Sequence, residues 1–159
     1  MILNHKEAIR YLVQNVTDIR IDEHTIRTLH YLLADGLVGF DYDVHSMFRK
    51  DSLELTDEDR STLRAFIASD DAERYVISHG TDTMVETAAA LAGIPGKRMV
   101  LTGALSPARF KTTDAVFNVG MAVAAVQIVD PGVYIAMSGQ VFPADKVRKN
   151  RDENRFEPS

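Results

Sequence analysis

From Arg74 onward, short apolar runs of strand length alternate with longer segments of helical pattern, and few topologies tolerate that order. Tyr75–Ser78 predicts a strand, Met84–Ala92 a helix stopped by Gly93, and Arg98–Thr102 a strand. Asp114–Ile128 then predicts a helix and Val133–Met137 a strand. Strands joined through helices run parallel, because only a long crossover returns the chain to the end where it began. Their nearly continuous apolar character is that of strands covered on both faces. The expected fold is therefore α/β, a three-layer mainly parallel sheet with helices on both faces.

The chain before Arg74 reads differently. Ala8, Ile9, Leu12 and Val13 recur at helical spacing and predict a helix over Asn4–Asn15, with Asn4 as its cap. Asp22 caps a second predicted helix that runs to Asp35, where Gly36 supplies the stop. Together they predict an α-helical hairpin over residues 1–38, ahead of a domain over residues 40–159. Asp41–Arg49 reads as extended, and Thr56 caps a helix opening Asp57-Glu58-Asp59, acids suited to the positive end of its dipole. The tail after Arg151 is polar and is expected to fray.

A length of 159 residues is enough for one domain with a real core. The net charge of −5, with no basic stripe to offset it, argues against a nucleic-acid partner. The cluster Lys146-Val147-Arg148-Lys149-Asn150-Arg151 is flanked by Asp145, Asp152 and Glu153 and reads first as a solvated surface run. Without cysteine, the chain has no disulfide, thiolate metal site or thiol nucleophile. No stretch is long and apolar enough to span a membrane, and charges occupy the place of a signal peptide's apolar region. A cytoplasmic location without a membrane partner is expected. His24 and His30, six apart, do not share a helical face, and no metal site is expected.

The most specific string is His79-Gly80-Thr81-Asp82-Thr83-Met84, directly after the predicted strand. Read locally it is a helix cap, with Thr81 or Asp82 as the capping side chain. It also sets a hydroxyl beside a carboxylate above a strand's carboxyl end. The string resembles the second active-site motif of the bacterial-type L-asparaginases, and further matches follow in that family's order. They are Arg49 through Asp59, Val100-Leu101-Thr102-Gly103-Ala104-Leu105-Ser106-Pro107, Asp114-Ala115-Val116-Phe117-Asn118, and Val141 through Lys149. Residues 40–159 thus resemble the amino-terminal domain of that family, in its short single-domain form.

The resemblance implies hydrolysis of L-asparagine to L-aspartate and ammonia, with L-glutamine as a further substrate and no cofactor. It casts Thr81, Asp82 and Lys149 as catalytic residues. Thr81 would meet the acyl carbon or water, Asp82 would bind the substrate's α-amino group, and Lys149 would favour the deprotonated Thr81 hydroxyl. Ser52 and the backbone at Gly80 and Ala104 would bind the substrate carboxylate and amide oxygen. One departure stands out. The family's opening strand runs into Thr-Gly-Gly-Thr-Ile, whose first threonine is the usual nucleophile, and no such string occurs here. Its lid tyrosine and its smaller carboxy-terminal domain have no counterpart either.

Residues 3–38, in contrast, resemble the opening helices of Fic-domain proteins, without the Fic active-site loop. On that reading the chain is a Fic-type hairpin fused to an asparaginase-like domain lacking its first strand, and activity is weak or absent. The alternative is a catalytically silent member of the fold that binds a small carboxylate or only oligomerises. A homo-oligomer is expected, because a lost strand leaves a sheet edge or core face to cover.

Overall fold

The structure, a computed structural model, describes residues 9–15, 39–106 and 113–159. Six strands make one sheet: β1 (Ile9–Asn15), β2 (Tyr42–Arg49), β3 (Arg74–Ser78), β4 (Arg98–Thr102), β5 (Gly132–Met137) and β6 (Gln140–Pro143). They lie in the order β2-β1-β3-β4-β5-β6, parallel throughout except for the β5–β6 hairpin. The helices are α1 (Asp57–Ser69), α2 (Met84–Ala90) and α3 (Ala115–Ile128), and β7 (Val147–Asn150) pairs with β8 (Arg155–Pro158) in a separate antiparallel hairpin. Mixed α/β architecture around a mostly parallel sheet is as the alternation predicts. Among the described residues no helix is long and apolar enough to cross a membrane.

Two expectations fail. Ile9–Asn15 is a strand, not the end of a helix, and it pairs in parallel with β2 on one side and β3 on the other. The reading of a lost first strand fails with it, for β1 stands inside the sheet and joins residues on both sides of the expected 38/40 boundary. A run of apolar residues this short satisfies helical and extended templates alike. The tail does not fray either, because Phe156 on β8 is buried. The helix expected over Asp22–Asp35, and the hairpin it would close, lie outside the described residues.

Side chains of the central strands alternate between two cores. Tyr75, Ile77, Met99, Leu101, Ile135 and Met137 pack with Leu63 and Ile67 of α1 and with Met84 and Ala88 of α2. Val76, Val100 and Ala136 point the other way, onto Val119, Ala122 and Val126 of α3. The steps β2 to β3, β3 to β4 and β4 to β5 all advance in one direction across the sheet. Since α1 and α2 cover one face and α3 the other, the α3 connection has the opposite hand to its predecessors. One of these hands is the left-handed crossover that parallel sheets seldom use.

Thr56 caps α1 as expected. Its hydroxyl accepts the Asp59 N–H at 3.2 Å while its own N–H donates to Asp59 Oδ2 at 2.9 Å, a reciprocal capping box. Lys50 Nζ donates to both Asp59 carboxylate oxygens at 2.8 Å. Lys50 first, then Thr56, holds the Asp59 carboxyl below the usual carboxylate range.

Candidate active site

The strand order reverses direction at β1. From β1 the chain steps outward to β2, then crosses back to β3 and proceeds the other way. In open parallel sheets such a switch point leaves a crevice beyond the carboxyl ends of the two strands, where ligands bind. Here the last β1–β3 pair is Val13 with Ser78, and His79–Thr83 follows immediately. The hexapeptide therefore occupies the place where the topology opens a crevice.

Thr81 and Asp82 are not the helix cap. The N-cap of α2 is Thr83, which makes no side-chain cap bond, and its hydroxyl donates instead to the Ser52 carbonyl at 2.6 Å. Thr81 and Asp82 are left to a different partner. Lys149 Nζ donates to Thr81 Oγ1 at 2.8 Å and to Asp82 Oδ1 at 2.8 Å, from 68 and 67 residues away. The Lys149 side chain is 12% exposed and that of Asp82 40%, so the ammonium is enclosed while the carboxylate still reaches water.

The β7–β8 hairpin delivers that lysine. Lys149 stands directly opposite Phe156, and residues opposite one another in an antiparallel pair share a face. Phe156 and Val147 are buried in the α1–α2 core, so Lys149, two residues from Val147, is turned inward with them. Arg148 and Glu157 form the next pair on the outer face, bonded at 2.7 Å. Hydrogen bonds from Asn150, then Arg155 and Arg148, hold the Glu157 carboxyl below its ordinary range. What reads in sequence as a solvated basic run is a strand with one basic residue pointing in.

The remaining expected residues lie in the hexapeptide itself or on loops bonded to it or packed against it. Ser52, 2% exposed, opens a single 3-10 turn capped by Asp51, and the Thr83 bond ties that turn to the start of α2. Gly80 lies between His79 and Thr81. Ala104 follows Gly103, whose missing Cβ is required: a β-carbon there would collide with the His79 carbonyl. That close approach seats the loop after β4 against the loop after β3. Asp114 fixes the same loop, accepting the N–H groups of Leu105 at 3.1 Å and Ser106 at 3.0 Å, while Asn118 Nδ2 donates to the Gly103 carbonyl at 2.9 Å.

The sequence reading missed the role of His79 itself. Its ring is buried, with Nδ1 at 2.6 Å from the Gly80 carbonyl and Nε2 at 2.7 Å from Thr87 Oγ1. Burial depresses its pKa from 6.5 to about 4; the Gly80 bond opposes this and the Arg60 charge adds to it. Between those two values the unfolded chain binds a proton that the folded chain refuses, so stability rises with pH across that window. Each pH unit is worth ~1.4 kcal/mol. Lowering the pH from 6.5 to about 4 is therefore expected to cost roughly 3 kcal/mol at this one residue. Urea midpoints measured across that range check it, and a His79→Asn variant should flatten the slope. The carboxylate losses at Asp59 set in lower, as pH falls below its ordinary 3.8.

A family model described as "Asparaginase, N-terminal" matches residues 5–156. The chain belongs to the asparaginase amino-terminal family. An L-asparaginase from Thermococcus kodakarensis is 30% identical over 116 residues, covering 70% of this chain and 35% of its own length. A glutamyl-tRNA(Gln) amidotransferase component from Methanococcus vannielii is 40% identical over 72 residues, 44% of this chain and 17% of its own. Among solved structures, a probable cytoplasmic L-asparaginase from Campylobacter jejuni superposes with a TM-score of 0.80 at 26% identity, covering 96% of this chain and 53% of that one. The chain thus spans about a third of the first relative and about half of the solved structure. The family match begins at residue 5, so the asparaginase family, and not a Fic-type segment, accounts for the chain's opening as well.

Proposed function

We propose that this asparaginase-family chain is an amidohydrolase of small amino-acid amides, L-asparagine first and L-glutamine second. The observation that carries this reading is the Lys149 ammonium bonded to both Thr81 Oγ1 and Asp82 Oδ1 at the switch point of the sheet. A cation at hydrogen-bond distance favours the alkoxide form of Thr81, which makes it the better nucleophile or the better activator of water. Asp82 keeps enough exposure to accept a substrate ammonium while its other side holds Lys149. On this reading the Ser52 turn, tied to Thr83, and the loops at Gly80 and Ala104 would supply backbone groups for the carboxylate and amide oxygen.

Purified protein incubated with L-asparagine should release ammonia, and Thr81→Ala should abolish that release. No ammonia from either amide, or release that survives Thr81→Ala, sinks the reading. The absence of Thr-Gly-Gly-Thr-Ile supports a second reading, a small-carboxylate binder with little or no turnover. The chain leaves β1 at Asn15, and Thr17 stands two residues further along. If Thr17→Ala matches wild type in rate, that hydroxyl does not serve as the missing nucleophile. Thermal stabilisation by aspartate without ammonia from asparagine would favour the binder. A homo-oligomer is part of the proposal, supported by the uncharged outer side of α3, where Val116, Phe117 and Ile128 are exposed.

A further inference from the structure

We propose that His79 is a positioning residue: its ring, aimed by Thr87 and Arg60, holds the Gly80–Thr81 peptide so that the Thr81 backbone N–H is presented to the substrate. The inference rests on the amidohydrolase reading and adds a residue that the family motif does not explain.

Each hydrogen bond in the series has only one possible direction. Arg60 Nε can only donate, and it lies 3.2 Å from Thr87 Oγ1, which therefore accepts. The Gly80 carbonyl can only accept, so the proton at the 2.6 Å contact sits on His79 Nδ1. The buried ring is neutral at ordinary pH, which leaves Nε2 as an acceptor for the Thr87 hydroxyl at 2.7 Å. The result is a single directed series, Arg60 to Thr87 to His79 to Gly80, in which every donor polarises the next.

The series ends on a peptide whose other side makes no hydrogen bond to a described residue. Gly80 C=O and Thr81 N–H belong to one planar unit and point in opposite directions. With the carbonyl drawn toward the buried ring, the N–H faces away from it, and no acceptor among the described residues takes it. Polarising the carbonyl makes that N–H a stronger donor. The two peptides before it are fixed, because the His79 N–H is bonded to the Thr102 carbonyl at 2.8 Å and Gly103 packs against the His79 carbonyl, so the ring's bond to Gly80 sets the orientation of the Gly80–Thr81 unit. Thr81 thus offers a fixed N–H beside the hydroxyl that Lys149 holds.

Two substitutions divide the ring between them. Asparagine at 79 can keep the donor to Gly80 but cannot reach Thr87; glutamine can reach Thr87 but loses the Gly80 donor. His79→Asn is expected to retain kcat within about threefold, whereas His79→Gln should lose on the order of tenfold with KM little changed. A ring that serves stability alone would leave kcat per folded molecule alike in the two variants, and that result overturns the proposal. Nitrogen-15 spectra of the intact chain provide a readout independent of turnover. They should show a neutral ring protonated on Nδ1 and a Thr81 amide proton that moves upfield in Thr87→Val. A proton on Nε2, or a Thr81 amide indifferent to Thr87→Val, overturns the proposal even if His79→Gln does not fold. Absence of ammonia from the wild type would sink the amidohydrolase reading while the spectra still decide the relay.

Discussion

Replacing Lys149 by methionine should lower the rate of ammonia release on the order of a thousandfold while leaving the fold intact. Methionine matches the length and bulk of the lysine stem but carries neither charge nor donor. Thr81 Oγ1 and Asp82 Oδ1 would each lose the bond to the shared ammonium, both 2.8 Å long. A loss of this size lies between removal of one transition-state donor and removal of a nucleophile. Stability should move little, because the carboxylate left behind, Asp82, is 40% exposed and regains water, so the pair contributes no more than about 1 kcal/mol. The measurement is kcat for L-asparagine beside a urea unfolding curve. A variant with wild-type kcat would show that the Thr81–Asp82–Lys149 cluster is an ordinary surface ion pair. A variant that unfolds would show that the lysine matters for the hairpin, and an arginine variant, which keeps the charge but not the point-like ammonium, would then separate charge from geometry.

The legibility of this chain follows how local its signals are. The strands at Arg74, Arg98 and Gly132 and the helices at Asp57, Met84 and Ala115 each carry their own pattern of apolar residues and stops, and all are found where the pattern puts them. β1 was not legible. Ile9-Arg10-Tyr11-Leu12-Val13 is too short to separate a period of 3.6 from an extended run, and what makes it a strand is its place between β2 and β3. The terminal hairpin was hidden differently. Two four-residue strands joined through Asn154 in a left-handed conformation, φ 46°, offer only the alternation of Val147 and Lys149 against Arg148, and of Phe156 against Arg155 and Glu157. Read as period two, those residues would have turned Lys149 inward from sequence alone. The Arg60–Thr87–His79 series offers no such signal, because its members lie 27 and 8 residues apart and only the packing of α1 against α2 joins them.

Phe156→Ala is expected to show that the hairpin's anchor and the site are one device. Phe156 is 1% exposed, packed in the same core as Ile77, Met84 and Met137, and sits directly opposite Lys149. Truncating a buried phenylalanine removes its transfer energy and leaves a cavity, together ~3–5 kcal/mol. That is a large share of a domain's stability, so the midpoint of unfolding should fall steeply. The more telling consequence is local. β8 is held to the body by this ring and by the bond from its N–H to Ser138 Oγ at 3.4 Å, and β7, anchored by Val147, carries Lys149 in register with β8. The hairpin should therefore loosen before the parallel sheet does, and kcat should fall at temperatures where the sheet is still folded. Phe156→Leu, which restores most of the apolar volume, should recover both properties together. If Phe156→Ala lowers stability while the folded fraction keeps full kcat, Lys149 is held by its own contacts and the hairpin is a passive flap.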